Sequence, residues 1–200
     1  MNRTNMPNVN VVDAIFRQLC REAWIVTSAH GEKRGGLLAT WVSPASIDAA
    51  RPEIVIAIAP NHFTAELIDA SQSFAVHLLR RDQTDVAFNF AIGSGRERDK
   101  FAPYATQNGV TGSPILTDCL ARLECKVYAR LITGDRNYYW GDVVASEKTD
   151  AGTPLTDRDL FAAATETQKK QLLANRDDDV SCQRPWHEAW RNAIPPLLRP

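Results

Sequence analysis

Hydroxyl and amide side chains follow two apolar, β-prone runs in the first third of the chain. Residues 37–42 (LLATWV) lead into Ser43-Pro44-Ala45-Ser46, and residues 54–59 (IVIAIA) lead into Pro60-Asn61-His62-Phe63-Thr64. Hydroxyls, amides and exposed backbone N–H groups can bind phosphate oxygens or the polar edge of a heteroaromatic ring. Polar groups at strand ends therefore predict a ligand pocket on a rigid sheet. Two ordinary strands with polar turns explain the same residues equally well.

Metal sites and catalytic triads have characteristic spacings, and none is convincing in this sequence. There is no CxxC pair and no HxxxH pair, and His187-Glu188 lacks the second histidine of a zinc-protease helix, so no metal is predicted. Without a secretory context, the cysteines are expected to be free thiols. The histidines are His30, His62, His77 and His187, and the cysteines are Cys20, Cys119, Cys125 and Cys182.

The composition is that of an ordinary globular chain. The 200 residues are 44% hydrophobic and 24% charged, enough for one domain or a domain with an appendage. A formal net charge of −1 gives no electrostatic reason to expect nucleic acid or a membrane surface as partner. No apolar run approaches the roughly 20 residues that span a bilayer, and the first dozen residues lack the apolar core of a secretory signal. A cytoplasmic location is expected.

Apolar runs and alternations predict six or more strands, mostly antiparallel. Residues 23–28 (AWIVTS) are predicted to pair with residues 37–42 as a hairpin. Residues 54–59 are apolar throughout, which predicts a strand buried on both faces. Residues 121–131 alternate between apolar and polar side chains, which predicts a half-buried strand whose hairpin partner is residues 138–146.

Short helices are predicted in the connections, and longer ones at the C-terminal end. Residues 156–175 are helix-prone, with Thr156 and Asp159 as a capping pair, and this helix is expected to end at the acidic run 177–179. Pro185 is then expected to begin a last helix. Its apolar stripe is suited to packing on the domain or on a second subunit, and consists of Trp186, Trp190 and Ile194.

Strands joined by short turns favour a mainly β fold, a barrel or sandwich with α additions, over a parallel doubly wound sheet. The nucleotide-binding fingerprints of parallel folds do not occur. Gly93-Ser94-Gly95 is not followed by the third glycine of GxGxxG, and the sequence has no GxxxxGK[ST].

Six segments occur in a distinctive order, namely WIVTS, GLLATWVSPASID, APNHFTAELI, SFAVHLL, SGRERDKF and GDRNYYWGDVVA. In order and spacing they resemble the flavin reductase-like family with the FMN-binding split-barrel fold, over roughly residues 12–147. The resemblance implies a Greek-key barrel over residues 1–150, and a helical extension over residues 151–200 that packs on the barrel or on a second subunit.

The resemblance also implies a homodimer that binds FMN, or alternatively FAD, near the subunit interface and reduces it with NADH or NADPH. Reduced flavin would leave for a partner monooxygenase or stay bound and pass electrons on. No catalytic side chain is implied, because the redox chemistry belongs to the cofactor.

By the same resemblance, three segments would hold the flavin. The ring and ribityl chain would be lined by Thr40, Trp41, Val42, Ser43 and Ser46. The phosphate and ring pocket would include Asn61, His62, Phe63 and Thr64, and the phosphate side would be closed by Ser94, Gly95, Arg96, Lys100 and Phe101. Nicotinamide contacts are expected from Arg136 and from Trp140 or Tyr138. Outside this family context, Arg96 and Lys100 would be interpreted as a solvated charged face.

Two departures from the family keep an alternative open. Many relatives have a histidine after Gly-Asp in the last hairpin, where this chain has Arg136, and arginine cannot exchange a proton near neutral pH. The long tail from Thr156 onward is also unusual. The alternative is a flavin-binding electron-transfer or carrier protein without NAD(P)H turnover. A split-barrel protein that binds haem is a weaker possibility, since no axial ligand is evident.

Overall fold

A curled, seven-stranded antiparallel sheet dominates the computed structural model, which describes residues 7–149 and 152–199. The strands of this sheet are β1 Trp24–His30, β2 Lys33–Ala39, β3 Val42–Pro44, β4 Glu53–Ile58, β5 Ser73–Leu78, β8 Ala121–Ile132 and β9 Asn137–Lys148. A separate small hairpin consists of β6 Thr106–Asn108 and β7 Pro114–Leu116. The helices are α1 Val9–Phe16, α2 Phe63–Ser71, α3 Thr84–Ala91, α4 Asp157–Ala163 and α5 Glu166–Asn192, followed by a 3-10 turn at Pro196–Leu198.

The two edges of the sheet meet at the predicted ligand-binding stretch. The strand order is β2-β1-β5-β8-β9-β4-β3, so the edge strands β2 and β3 are consecutive in the chain. Only Thr40 and Trp41 separate them, and the backbone N–H of Ala57 donates to the carbonyl of Trp41 at 3.0 Å. The sheet therefore forms a half-barrel whose two edge strands are joined at Thr40 and Trp41, a connection termed the sheet closure. This is the arrangement expected for the mainly β split-barrel class.

Strand β4 has one face in the core and one face outside it. Ile54, Ile56 and Ile58 are buried, whereas Val55 and Ala57 are only half-buried. The prediction that this strand is buried on both faces is wrong, because the second apolar face lines an open cavity. Both predicted hairpins, β1–β2 and β8–β9, are confirmed by their registers.

Two clusters of buried side chains fill the structure, one inside the half-barrel and one beneath α3 and α4. Two glycines in β2 let helices approach the sheet closely. A Cβ on Gly36 would lie 2.6 Å from the Phe90 ring of α3, and one on Gly35 would lie 2.7 Å from Leu67 of α2. Both glycines lie within strand β2.

The C-terminal helices differ from the prediction in two respects. Residues 156–175 do not form one helix, because Ala164 and Thr165 are extended and separate α4 from α5. The capping pair is confirmed, since the N–H of Asp159 donates to Thr156 Oγ1 at 3.1 Å. However, α5 runs for 27 residues through both the acidic run and Pro185, so the predicted break is wrong. Proline removes one helical hydrogen bond, a cost that contacts with the barrel on either side of Pro185 offset. The predicted domain boundary at residues 150 and 151 lies outside the described residues.

Within residues 7–149 and 152–199, no helix is long and apolar enough to cross a membrane.

Candidate functional site

A cavity of about 370 Å³ opens where the sheet edges meet. Its volume is within the range of roughly 300–1,000 Å³ of small-molecule pockets. Aromatic and aliphatic surface comes from Trp41, Tyr138 and Val55, and hydroxyl groups come from Thr40 and Ser43. The site thus offers flat apolar walls with a few polar groups along one margin.

The walls of this cavity are fixed by the register of β4 against β9. Val55 pairs with Trp140 and Ala57 pairs with Tyr138, so these four side chains share the face of the sheet opposite the core. The Tyr138 and Trp140 ring centroids are 6.3 Å apart. Tyr138 lines the cavity, while Trp140 lies next to it on the open face.

A smaller cavity of about 150 Å³ adjoins the first. Thr40 and Trp41 line both cavities, and the second is completed by His62, Arg136 and Asp179. The guanidinium carbon of Arg136 lies 5.2 Å from the centroid of the Trp41 ring, within cation–π distance. Arg136 therefore supplies a positive charge beside an indole that is 44% exposed.

Two of the predicted flavin-binding segments come together at the start of α2. Arg96 donates to the carbonyl oxygen of Asn61 at 3.2 Å, and its guanidinium lies 5.3 Å from the Phe63 ring centroid. Arg96 also forms an ion pair with Glu66. Gly95 favours the close approach of the two segments, because a Cβ there would lie only 3.2 Å from the Phe63 ring.

Other predicted site residues lie away from the two cavities. Lys100 is 4% exposed, and its ammonium donates to the carbonyl of Phe90 at 2.8 Å. Burial lowers the pKa of Lys100 to about 8, with a further contribution from Arg98. Phe101 packs edge-to-face on Phe90 at 5.2 Å within the core.

Three hydroxyl residues complete the predicted set. Thr64 is buried within the first turn of α2. Ser94 Oγ accepts from the N–H of Arg96 at 3.1 Å, which shapes that loop. Ser46 Oγ accepts from the N–H of Asp48 at 3.0 Å in the connection after β3. None of the three lines either cavity.

Helix α5 contributes residues to the site that sequence reasoning missed. Asp179 Oδ1 accepts a hydrogen bond from Asn61 Nδ2 at 2.8 Å, and Asp179 Oδ2 lies 3.2 Å from His62 Nε2. Gln183 Oε1 accepts from Arg136 at 2.6 Å, and Gln183 Nε2 donates to Asn61 Oδ1 at 3.0 Å. The only available signal was the four-residue spacing between Asp179 and Gln183, which places both on one helical face.

The electrostatics of this contact favour an ionised Asp179. Burial raises the pKa of the Asp179 carboxyl, but hydrogen bonds from His62 and Asn61 and the positive charge of Arg136 lower it below the ordinary value. An ionised carboxylate accepts from Asn61 Nδ2, which orients the Asn61 amide, and it lies within hydrogen-bond distance of His62 Nε2.

Comparison with known families identifies a domain that covers most of the chain. Residues 16–161 match the family described as "Flavin reductase like domain". The match ends before α5 begins at Glu166.

Curated relatives include proteins much longer than this chain. The sequence is 33% identical over 135 residues to the putative diflavin flavoprotein A 6 of Nostoc, covering 66% of this chain and 23% of that protein. It is 30% identical over 135 residues to the high molecular weight rubredoxin of Moorella thermoacetica, covering 66% of this chain and 58% of that protein. The chain therefore spans only part of these relatives.

Solved structures share the fold. The NADH:FAD oxidoreductase of Streptomyces globisporus superposes with a TM-score of 0.68 at 22% identity, covering 78% of this chain and 93% of that chain. An FMN-binding protein from Thermus thermophilus superposes with a TM-score of 0.64 at 25% identity, covering 75% and 82%. A Mycobacterium thermoresistibile homologue of nitrilotriacetate monooxygenase component B gives a TM-score of 0.64 at 27% identity, covering 74% and 84%.

Proposed function

Because the chain belongs to the flavin reductase-like domain family, we propose that it is an oxidoreductase that uses NADH or NADPH to reduce bound FMN, or alternatively FAD. Its homologues include flavoproteins, and one protein of the same fold is named an NADH:FAD oxidoreductase. The chain covers 23% of the Nostoc diflavin flavoprotein, so the activity proposed concerns this domain alone.

The observation that carries the proposal is the cavity at the sheet closure. Its volume of about 370 Å³ and its aromatic walls at Trp41 and Tyr138 fit a planar tricyclic ring. Hydroxyls of Thr40 and Ser43 can bind the polar edge of such a ring. Arg21 at the same cavity and Arg136 at the neighbouring one can offset the charge of the pyridine-nucleotide phosphates.

In this proposal the side chains bind and orient, and none exchanges a proton. The redox chemistry, acceptance of a hydride from nicotinamide, would be supplied by a flavin held by these residues. Thr40 to Ser43 hold the ring, while Asn61, His62, Phe63 and the 94–96 loop hold the phosphate side. The guanidinium of Arg136 serves as an anion-binding or stacking group beside Trp41.

The open apolar face beside the cavity supports a homodimer. Val55, Ala57, Tyr138 and Trp140 share this face, which a second subunit would cover together with one side of the flavin. A partner monooxygenase is proposed as one acceptor of reduced flavin, on the likeness to a monooxygenase component B homologue. The helical extension over residues 151–200 is proposed to pack on the barrel or on a second subunit.

A second candidate function is flavin binding and electron transfer without pyridine-nucleotide turnover. It is favoured by Arg136, which stands where many relatives have a histidine and which cannot exchange a proton near neutral pH.

One experiment separates the two functions. The purified chain is examined for flavin absorbance, and the oxidation of NADH and NADPH is then followed with added FMN or FAD. Flavin binding with turnover supports the reductase. Bound flavin without oxidation of either nucleotide supports the carrier, and a chain that binds neither FMN nor FAD refutes both.

A further inference from the structure

The C-terminal helix touches the candidate site through a stripe of polar side chains spaced four residues apart. Asp179 contacts Asn61 and His62, and Gln183 contacts Asn61 and Arg136. One turn further on, His187 Nδ1 lies 3.1 Å from the carbonyl oxygen of Thr133 and 3.0 Å from Asp135 Oδ1. The stripe therefore follows the site from the α2 loop to the β8–β9 turn.

The backbone of α5 is in direct contact with that turn. Gly134 has a φ of +85°, and a Cβ there would lie 2.4 Å from the carbonyl oxygen of Trp186. Any side chain at this position would push the helix away from the barrel. The position of α5 is thus defined by close packing as well as by hydrogen bonds.

Gln183 is the buried residue of α5. It is 4% exposed, and both ends of its amide have partners, Arg136 on one side and Asn61 on the other. A buried amide is costly unless it is hydrogen-bonded, so the two partners must occupy defined positions for the helix to dock. Trp186 and Val180, the large apolar residues next to Gln183 on α5, are 44% and 43% exposed, so they contribute little at this contact, whereas Leu172 packs on the core nearer the start of the helix.

We propose that Asp179 and Gln183 are positioning residues of the flavin site, supplied from outside the family domain. The inference rests on the proposed function, since Asn61 and His62 belong to the proposed flavin-binding loop and Arg136 to the proposed nucleotide contact. Asp179 and Gln183 together engage both polar atoms of the Asn61 amide. Gln183 holds Arg136 beside Trp41, and the carboxylate of Asp179 balances its charge.

The test uses the full chain and three alanine variants. FMN titrations give the dissociation constant, and NADH and NADPH oxidation gives KM and kcat. Asp179→Ala and Gln183→Ala each remove hydrogen bonds to the site, and each is expected to weaken FMN binding about tenfold, with the far-UV circular dichroism unchanged. Asp177→Ala is the matched control, because Asp177 is an exposed aspartate on the same helix.

A fourth variant distinguishes positioning from general support of the fold. Gln183→Glu keeps an acceptor for Arg136 but loses the donor to Asn61. It is expected to keep the parental KM for the nucleotide while FMN binding stays weakened, whereas Gln183→Ala changes both quantities. A purely structural role would change both together or neither.

The outcomes separate this inference from the proposed function. Parental FMN affinity and parental KM in both Asp179→Ala and Gln183→Ala overturn the positioning role and leave the reductase proposal intact. A parent chain that binds neither FMN nor FAD refutes the proposed function, and the positioning role with it.

Discussion

The stability of the fold between pH 4 and pH 6.5 is expected to depend on one buried histidine, His77. Its ring is completely buried on β5, where Nδ1–H donates to the carbonyl of Ile25 at 3.1 Å and Nε2 accepts from the N–H of Leu116 at 3.1 Å. Burial lowers the pKa of His77 to about 4, against the opposing effect of the Ile25 hydrogen bond, and the charge of Arg122 lowers it further. The imidazole is therefore neutral in the folded chain at neutral pH.

The sign and the size of the effect follow from this pKa. In the unfolded chain the pKa of the ring returns to about 6.5, so the unfolded state takes up a proton first as the pH falls. The contribution of His77 to the free energy of unfolding is fully present above pH 6.5 and is lost as the pH falls towards 4. The difference between the two pKa values corresponds to about 3 kcal/mol of unfolding free energy at the acid end of this range.

The measurement is urea unfolding of the parent and of His77→Gln, followed by circular dichroism at intervals from pH 4 to pH 7.5. Glutamine does not titrate, so the variant is expected to lose about 3 kcal/mol less than the parent across this range, whatever its stability at neutral pH. His30→Gln is the control, because His30 is exposed at the end of β1 and should retain the parental profile. Parallel profiles for the parent and His77→Gln would refute the reasoning.

Three further predictions concern single substitutions. The buried Lys100 ammonium loses its proton at about pH 8 in the folded chain and at about pH 10.5 in the unfolded chain, so the stability of the parent should rise between these pH values. Lys100→Met should lack this rise. Urea midpoints of the variant that still rise over this range would contradict the prediction. Ser43→Val should weaken FMN binding by about 1–3 kcal/mol in titrations, and equal affinity would move the flavin away from Ser43. Gly134→Ala should speed hydrogen exchange in α5 and weaken FMN binding, because its methyl group would meet Trp186. Gly31→Ala, with a φ of +59° and no atom within 4 Å of its Cβ, carries the backbone strain alone and should do neither.

Much of the barrel could be predicted because its signals are local. Alternation along β8, the hairpin pairings and the Thr156–Asp159 cap depend on neighbours in the chain or on the two-residue period of a strand. The error at β4 has a physical cause. An apolar run indicates that both faces of a strand avoid water, but it does not distinguish a packed core from a cavity wall such as Val55 and Ala57.

The resemblance to a family predicted Thr40 and Trp41 as site residues, and in the structure both residues line the two cavities. It could not indicate the surroundings of Lys100. A lysine within a charged run is usually solvated, and only the tertiary fold determines that this one lies under the carbonyl of Phe90.

The largest gap between sequence and structure is α5, and its cause bears on how the site works. An acidic run and a proline both end helices by local rules, yet α5 continues through residues 177–179 and Pro185 because Asp179, Gln183 and His187 find partners on the barrel. These partners lie about 50 to 120 positions away along the chain, so no local pattern could reveal them. Helix and site are therefore coupled. A change that moves Asn61 or Arg136 also removes hydrogen bonds that stabilise α5 around Pro185. A change that detaches α5 from the barrel removes the same hydrogen bonds from the residues proposed to hold flavin and nucleotide.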